Sequence, residues 1–225
     1  MTNYKCLKVF TFGWSPEHVI KPLIEEGISR DEIIAIIATK PDTAYVKKRV
    51  EEAFQHVATF LRLAGISNFY YVEFNVEKDF LDICIDITKK LKEIYSGDYY
   101  KFYLTGGMRV LVLATLAVAR LFHTSRKKVD IRLSMEDRVF FYEVPPELFI
   151  IDLSDVTEAQ LTLLNFLKTF GEARFEDLAI GRTEVTVRKI LTKLRNRGLV
   201  NYRSVGRKQF YRLTKLGELL LELVG

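Results

Sequence analysis

Residues 99–109 read Tyr99-Tyr100-Lys101-Phe102-Tyr103-Leu104-Thr105-Gly106-Gly107-Met108-Arg109, a strand pattern that ends in a Gly-Gly loop, and residues 110–119 continue it as an apolar helix. A strand that turns through two glycines into a helix is where an α/β sheet holds an anionic ligand. Residues without Cβ atoms let backbone N–H groups approach a phosphate, the helix offers the positive end of its dipole, and Arg109 adds a fixed charge at the mouth.

The same alternation runs upstream. Residues 7–12 form a buried strand, followed by a helix from Pro16 toward Gly27. Residues 33–38 are apolar throughout, as parallel strands covered on both faces are. A helix over about 43–64 places Val46, Val50, Ala53, Phe54, Val57 and Leu61 on one stripe, and Gly65 closes it. A third strand spans 69–74 and a further helix 77–95. Downstream of the Gly-Gly loop, strands at 129–134 and 139–143 flank Met135-Glu136-Asp137-Arg138, a hairpin-length connection. This order predicts an α/β, Rossmann-like parallel sheet with right-handed crossovers.

Pro145-Pro146 interrupts regular structure. The domain organisation expected is a ligand-binding domain over 1–143, a linker over 144–155 and a second domain over 156–225. The second domain opens with the capping box Thr157-Glu158-Ala159-Gln160, and its first helix stops at Gly171. A short strand at 173–175 and a brief helix at 176–179 lead to the turn Ile180-Gly181-Arg182. Thr183 caps a helix to about Arg197 with Val187, Ile190, Leu191 and Leu194 inward, and Gly198 follows it. Strands at 199–204 and 209–213 flank Val205-Gly206-Arg207-Lys208. Thr214 caps a last helix with Leu216, Leu219, Leu220 and Leu223 on one stripe. Together these form a winged helix-turn-helix.

With 225 residues and 48% hydrophobic composition the chain has ample apolar surface for packed cores. Cys6 and Cys84 stand alone, which argues against a disulfide framework or a zinc site. The start lacks a secretion signal, and the longest apolar run, 110–119, has about half the length of a membrane span, so a cytoplasmic protein without membrane contact is expected. Residues 152–225 hold thirteen of the 34 Lys and Arg but only nine of the 29 Asp and Glu. That basic surplus suits a phosphate backbone.

In an open parallel sheet, ligands lie beyond the carboxyl ends of the strands where strand order reverses. If the first and fourth strands are neighbours, Gly13, Trp14 and Ser15 share one crevice with Thr105, Gly106, Gly107, Met108 and Arg109. Thr39 and Lys40 after strand two add a hydroxyl and a cation, and Asn75 after strand three an amide. The first strand is followed by Gly13-Trp14-Ser15-Pro16 and not by G-x-G-x-x-G, which disfavours NAD, and no P-loop occurs. In the second domain Thr186, Arg188, Lys189, Thr192, Lys193 and Asn196 lie opposite the apolar face of the second long helix, suited to phosphates and base edges. Arg203, Arg207 and Lys208 make a basic wing. His18, His56 and His123 fit no metal spacing and are read as surface or capping residues. Lys47-Lys48-Arg49 and Arg126-Lys127-Lys128 are read as solvated faces and given no role. No metal or cofactor is expected.

With both halves in view, the chain resembles the CARF (CRISPR-associated Rossmann fold) transcription regulators of archaea, in which a CARF domain is fused to a winged helix-turn-helix. The resemblance rests on Phe12-Gly13-Trp14-Ser15 and on Thr105-Gly106-Gly107-Met108-Arg109, similar to the family's Ser/Thr-Gly-Gly-Thr/Met-Lys/Arg pattern. Many members carry an acidic residue where this chain has Tyr103. The resemblance implies a homodimer that binds a cyclic oligoadenylate, commonly the tetraadenylate, across its two-fold axis as effector, with Trp14 placed to stack on adenine. It also implies paired winged helices on double-stranded promoter DNA, in antiviral defence and without enzymatic activity. A ring nuclease using Ser15 and Arg109 is the alternative it implies. Arg49 and His56 match the spacing of a HEPN ribonuclease site by chance, since they fall on the long helix of the first domain.

Overall fold

A strand that is apolar on both faces needs cover above and below, and the chain supplies it with helices between successive strands. The protein is described by a computed structural model over residues 6–29, 32–134, 141–149, 156–181, 183–206 and 208–224. The elements of its first part are β1 (Leu7–Phe12), α1 (Glu17–Glu26), β2 (Ile33–Thr39), α2 (Ala44–Leu63), β3 (Phe69–Phe74), α3 (Phe80–Ile94), β4 (Tyr99–Leu104), α4 (Arg109–Thr124), β5 (Lys128–Ser134) and β6 (Phe141–Val144).

The sheet order is β3-β2-β1-β4-β5-β6. The first five strands are parallel and β6 runs antiparallel on β5. Strand order therefore reverses between β1 and β4, as a doubly wound fold requires. All six residues of β1 are buried. Phe10, Phe12, Ile34, Ile36 and Tyr103 pack under Val19 and Leu23 of α1 and Val50, Ala53, Val57 and Leu61 of α2. On the other face Phe122 of α4 meets Tyr100 and Phe102 edge-on.

Two boundaries differ from the sequence expectation. Helix α3 begins at Phe80, not near 77, because the Asp79 carboxylate accepts from the Leu81 N–H at 2.8 Å and the Asn75 side chain accepts from the Glu77 N–H at 3.0 Å. Those bonds hold 75–79 as a turn and cap. The last strand is described from Phe141; the expected hairpin at 135–138 lies outside the described residues.

A feature absent from the sequence reading lies inside β1. Lys8 is 2% exposed, with its ammonium 2.8 Å from Glu32 and 3.4 Å from Glu26. Glu26 ends α1 and is also paired by Lys101, at 3.3 Å, and by Arg132. Arg132 in turn reaches Glu143 of β6 at 3.2 Å. Burial pushes the Glu26 carboxyl upward, yet the Tyr103 hydroxyl and the Lys8, Lys101 and Arg132 charges together hold it below the ordinary carboxylate value. Burial, with the Glu26 carboxylate beside it, pushes the Tyr103 hydroxyl upward. Tyr103 of β4 thus stands against a carboxylate from α1.

The chain divides into two compact units, Met1–Pro146 and Glu147–Gly225. Within the stretch expected as linker, Val144 still pairs with Ile131, Pro146–Phe149 forms a 3₁₀ turn, and residues 150–155 lie outside the described residues. The second unit contains α5 (Glu158–Phe170), β7 (Glu172–Arg174), α6 (Phe175–Leu178), α7 (Glu184–Asn196), β8 (Val200–Val205), β9 (Lys208–Leu213) and α8 (Lys215–Val224). Thr157 and Gln160 form the expected capping box at the start of α5. The antiparallel sheet order is β7-β9-β8. Helices α5, α6 and α7 followed by the β8–β9 wing are the architecture of a winged helix-turn-helix, and α8 packs after the wing. Its core gathers Leu164, Leu167, Val187, Leu191, Leu194, Leu199 and Leu220.

The stripe expected on α8 is corrected. The helix buries Leu216, Gly217, Leu220 and Leu221, while Leu219 and Leu223 face outward at 43% and 62% exposure. Gly217 is the cause: a Cβ there would stand 2.4 Å from the Leu199 carbonyl oxygen, so the glycine lets the helix approach the backbone entering β8 and turns that side inward.

Candidate functional site

The two glycine loops meet where strand order reverses. A Cβ on Gly13 would stand 3.1 Å from the Gly107 nitrogen, and one on Gly107 would stand 2.8 Å from the Phe12 carbonyl oxygen. Gly107 has φ +95°, a conformation that L side chains rarely adopt. The β1–α1 and β4–α4 loops therefore touch backbone to backbone, an approach that side chains at these positions would prevent.

Thr11, which the sequence reading passed over, fastens the loops together. Its hydroxyl oxygen accepts from the Thr105 N–H at 3.0 Å and the Gly106 N–H at 3.3 Å. The Thr105 hydroxyl donates back to the Thr11 carbonyl at 2.8 Å. Thr105 is 4% exposed, so its side chain is a fastener inside the fold and does not line the open surface. Each such bond contributes about 1 kcal/mol net, and losing a partner in this buried setting costs more.

Beyond the fastener the start of α4 is open. Met108 occupies the N-cap with no side-chain hydrogen bond. Among the described residues, the N–H groups of Gly107, Met108, Arg109 and Val110 make no hydrogen bond. Gly107, Met108 and Arg109 are exposed, and Gly106 is half-buried. A helix start with free N–H groups beside an arginine is a cradle for negative charge.

The rim adds two residues that sequence reasoning missed. The His18 imidazole lies against Gly106, its Nδ1 3.0 Å from where a Cβ on that glycine would be. Trp14 is 57% exposed, and the Arg49 guanidinium carbon stands 5.2 Å from its ring centroid. His18 is only five residues past Gly13, but Arg49 comes from α2, and no local pattern signals that contact. Ser15 is half-buried and its carbonyl accepts from the His18 N–H at 3.4 Å in the turn into α1.

Three further candidates lie elsewhere. Thr39 ends β2, half-buried. Lys40 and Asn75 line a separate cleft of ≈ 480 Å³ with Lys78, Lys89 and Lys90 and with Glu73, Asp86 and Glu93. In that cleft Lys78 pairs with Asp86 at 2.7 Å and Lys90 with Glu93 at 2.9 Å. The mixed charge makes it a weaker anion site than the α4 start.

In the second unit the candidate nucleic-acid surface is α7, capped by Thr183, whose side chain accepts from the Thr186 N–H. Thr186, Arg188, Lys189, Thr192, Lys193 and Asn196 are all exposed, opposite buried Val187, Leu191 and Leu194. Arg188 lies over the Phe175 ring, 4.3 Å from its centroid, which orients its guanidinium. Lys189 and Lys193 have no ion-pair partner among the described residues. On the wing Lys208 is exposed, whereas Arg203 is held by Glu172 in a bidentate pair at 2.8 and 2.7 Å. Arg207 lies outside the described residues.

Among the described residues no helix is long and apolar enough to cross a membrane. No curated protein sequence matches the chain. Similar solved structures include BpsR of Bordetella bronchiseptica, whose DNA binding is regulated by 6-hydroxynicotinic acid, at 30% identity and TM-score 0.30, covering 34% of this chain and 59% of that one. A MarR mutant from E. coli complexed with operator DNA is 22% identical at TM-score 0.30, covering 32% and 56%. A MepR mutant from S. aureus bound to an oligodeoxyribonucleotide is 25% identical at TM-score 0.29, covering 34% and 58%. The chain thus spans less than two thirds of each of these structures. The Csa3 CRISPR-associated Rossmann-like domain matches residues 6–145, from the start of β1 through β6 and both glycine loops. The chain belongs to the Csa3 family of CRISPR-associated Rossmann-like domain proteins.

Proposed function

We propose that this protein is a CRISPR-associated transcription regulator that senses a cyclic oligoadenylate, the tetraadenylate above all, in the cradle between the β1–α1 and β4–α4 loops and binds promoter DNA through α7 and the wing. The observation that carries the reading is the backbone contact of Gly13 with Gly107 beside the uncapped start of α4, in a chain of the Csa3 family. A symmetric ring of phosphates presents the same group to two copies of one cradle, so the reading requires a homodimer. Met108, Leu113 and Leu121 on and before α4 are 54%, 56% and 55% exposed, apolar surface that supports pairing of two copies. Arg109 offsets phosphate charge at each cradle.

The exposed polar face of α7 supports major-groove binding, and the dimer reads a roughly palindromic site. The ligand alters DNA affinity through its different affinity for the DNA-competent arrangement and the alternative one. Titration of the protein with cyclic tetraadenylate, with and without promoter DNA, tests this: binding with a shift in DNA affinity is expected. Absence of ring binding refutes the sensor. A second reading, cleavage of the ring, draws on the His18 imidazole against Gly106 and on Ser15 and Arg109 nearby. Linear products from a labelled ring separate it from sensing alone.

A further inference from the structure

One apolar side chain stands open on the polar face of α7. Val185 is 64% exposed, whereas Val187 and Leu191 of the same helix are buried. Val185, Lys189, Thr192 and Asn196 recur at i, i+4, i+7 and i+11 and so form one exposed stripe. Val187, Leu191 and Leu194 repeat the first three positions two residues on, which turns their stripe to the opposite side of the helix and into the core.

The groups around Val185 are engaged with one another. Arg188 lies over Phe175, and the Arg195 guanidinium carbon stands 5.4 Å from the Tyr202 ring centroid. Glu184, the acid of the first turn, faces Arg188 at 3.9 Å. The Thr183 and Thr186 hydroxyls bond each other at 2.8 Å, and the Thr183 oxygen also accepts from the Thr186 N–H. The first turn is therefore fixed, and what it carries on the stripe is a stiff, branched hydrocarbon.

In a helix-turn-helix the N-terminal residues of the second helix are the ones that meet base edges in the major groove. Among the groups displayed there, the thymine C5-methyl is the apolar one. Lys189 on the stripe and Lys193 beside it carry charge suited to phosphates, and an uncharged side chain between them and the cap adds nothing to that attraction. It lowers free energy only by shedding water against another apolar group. We propose that Val185 reads a thymine methyl in each half-site, so that α7 selects a T·A pair opposite its first turn. The inference rests on the DNA-binding reading of α7 and extends it by naming the base that one residue selects; it is independent of the cradle and its ligand.

The test removes the methyl from the DNA and leaves the protein unaltered. Duplexes are selected on the full chain from a random pool, in the absence and in the presence of cyclic tetraadenylate. The thymines of the selected site are then replaced one at a time by deoxyuridine, which lacks only the C5-methyl. Fluorescence anisotropy should find one replacement per half-site that raises Kd about fourfold, the effect of one buried methyl. Val185→Ala should bind the thymine duplex about fourfold more weakly and be indifferent to that same replacement. Its thermal melt should match that of the parent, since the side chain is exposed. Uniform affinity across all replacements, or a loss on replacement that is equally large in Val185→Ala, overturns the assignment and leaves DNA binding by α7 standing. A pool with no enriched sequence refutes base reading by Val185, and if affinity for duplex DNA is also absent, the DNA-binding reading falls with it.

Discussion

Gly107→Ala puts the cradle to its most direct test. At φ +95° an alanine is strained by about 1–3 kcal/mol from backbone alone. Its Cβ also stands 2.8 Å from the Phe12 carbonyl oxygen, where an ordinary contact begins at 3.4 Å, and rigid backbone on both sides leaves no easy relief. Overpacking of that kind adds about 1–3 kcal/mol. The sum, about 2–6 kcal/mol, reaches only the low end of the roughly 5–15 kcal/mol that holds a domain together, and a loop that shifts relieves most of it, so the sheet survives and the loop gives way. A loop displaced from Phe12 must be restored by the ligand, and about 2 kcal/mol of that cost is a roughly thirtyfold rise in Kd. Gly27→Ala is the control, since it has φ +75° with nothing within 4 Å of its Cβ: backbone strain without a clash, and far from the cradle. Thermal melts and calorimetry with cyclic tetraadenylate should show both variants destabilised but only Gly107→Ala impaired in binding. A Kd for Gly107→Ala within twofold of the parent, with a melt no lower than that of Gly27→Ala, refutes the close-approach argument.

Arg188→Ala and Lys189→Ala are expected to weaken DNA binding, and Lys208→Ala to lower the slope of log affinity against log salt by about one unit, measured by fluorescence anisotropy across a salt series. In the same assay Arg203→Ala changes the slope less than Lys208→Ala, because Glu172 already occupies the Arg203 guanidinium. Thr11→Val strips the acceptor from the Thr105 and Gly106 N–H groups and should cost about 1–3 kcal/mol in chemical denaturation. Glu26→Gln leaves Lys8, Lys101 and Arg132 without their shared carboxylate, an expected loss of about 3 kcal/mol at neutral pH. The Glu26 carboxyl lies below its ordinary value of 4.5 in the folded protein, so its contribution is complete above that pH and is lost as pH falls through the lowered value. Denaturation at pH 7 and at pH 3 should therefore show a smaller gap between the parent and Glu26→Gln at the acid end.

The sheet was legible because its strands are apolar runs of fixed length and its turns carry glycine, whereas the β1–β4 adjacency, only a condition in the sequence, comes from the sheet order. The glycine loops were legible for the same reason: Gly106-Gly107 interrupts the pattern where the β4–α4 backbone comes close to the end of β1. What escaped depends on contacts between distant residues. Lys8 sits in a strand otherwise read as apolar, and nothing local says that Glu26, at the end of α1, and Glu32, just before β2, converge on it. Thr11 looked like one more β-branched strand residue until its hydroxyl met the amides 94 and 95 positions away. Arg49 belonged to a basic run that a helix normally turns to water, and only the β1–α1 loop gives it an indole to cover. On α8 four leucines fit a helical stripe, but Gly217 chose the rotation, since a missing side chain leaves no mark on a hydrophobic pattern.

The shared guanidinium of Arg132 has a mechanical consequence. It grips the last residue of α1 on one side and Glu143 of β6 on the other. α1 is the rod whose opposite end carries His18 beside the glycines, about 15 Å away by its ten residues. Any tilt of that rod must either tear a carboxylate from a partly dehydrated cation or drag the cation, and with it the strand from which the chain leaves the sheet. A tilt of α1 at its glycine end is thereby resisted at β6 as well as at β5.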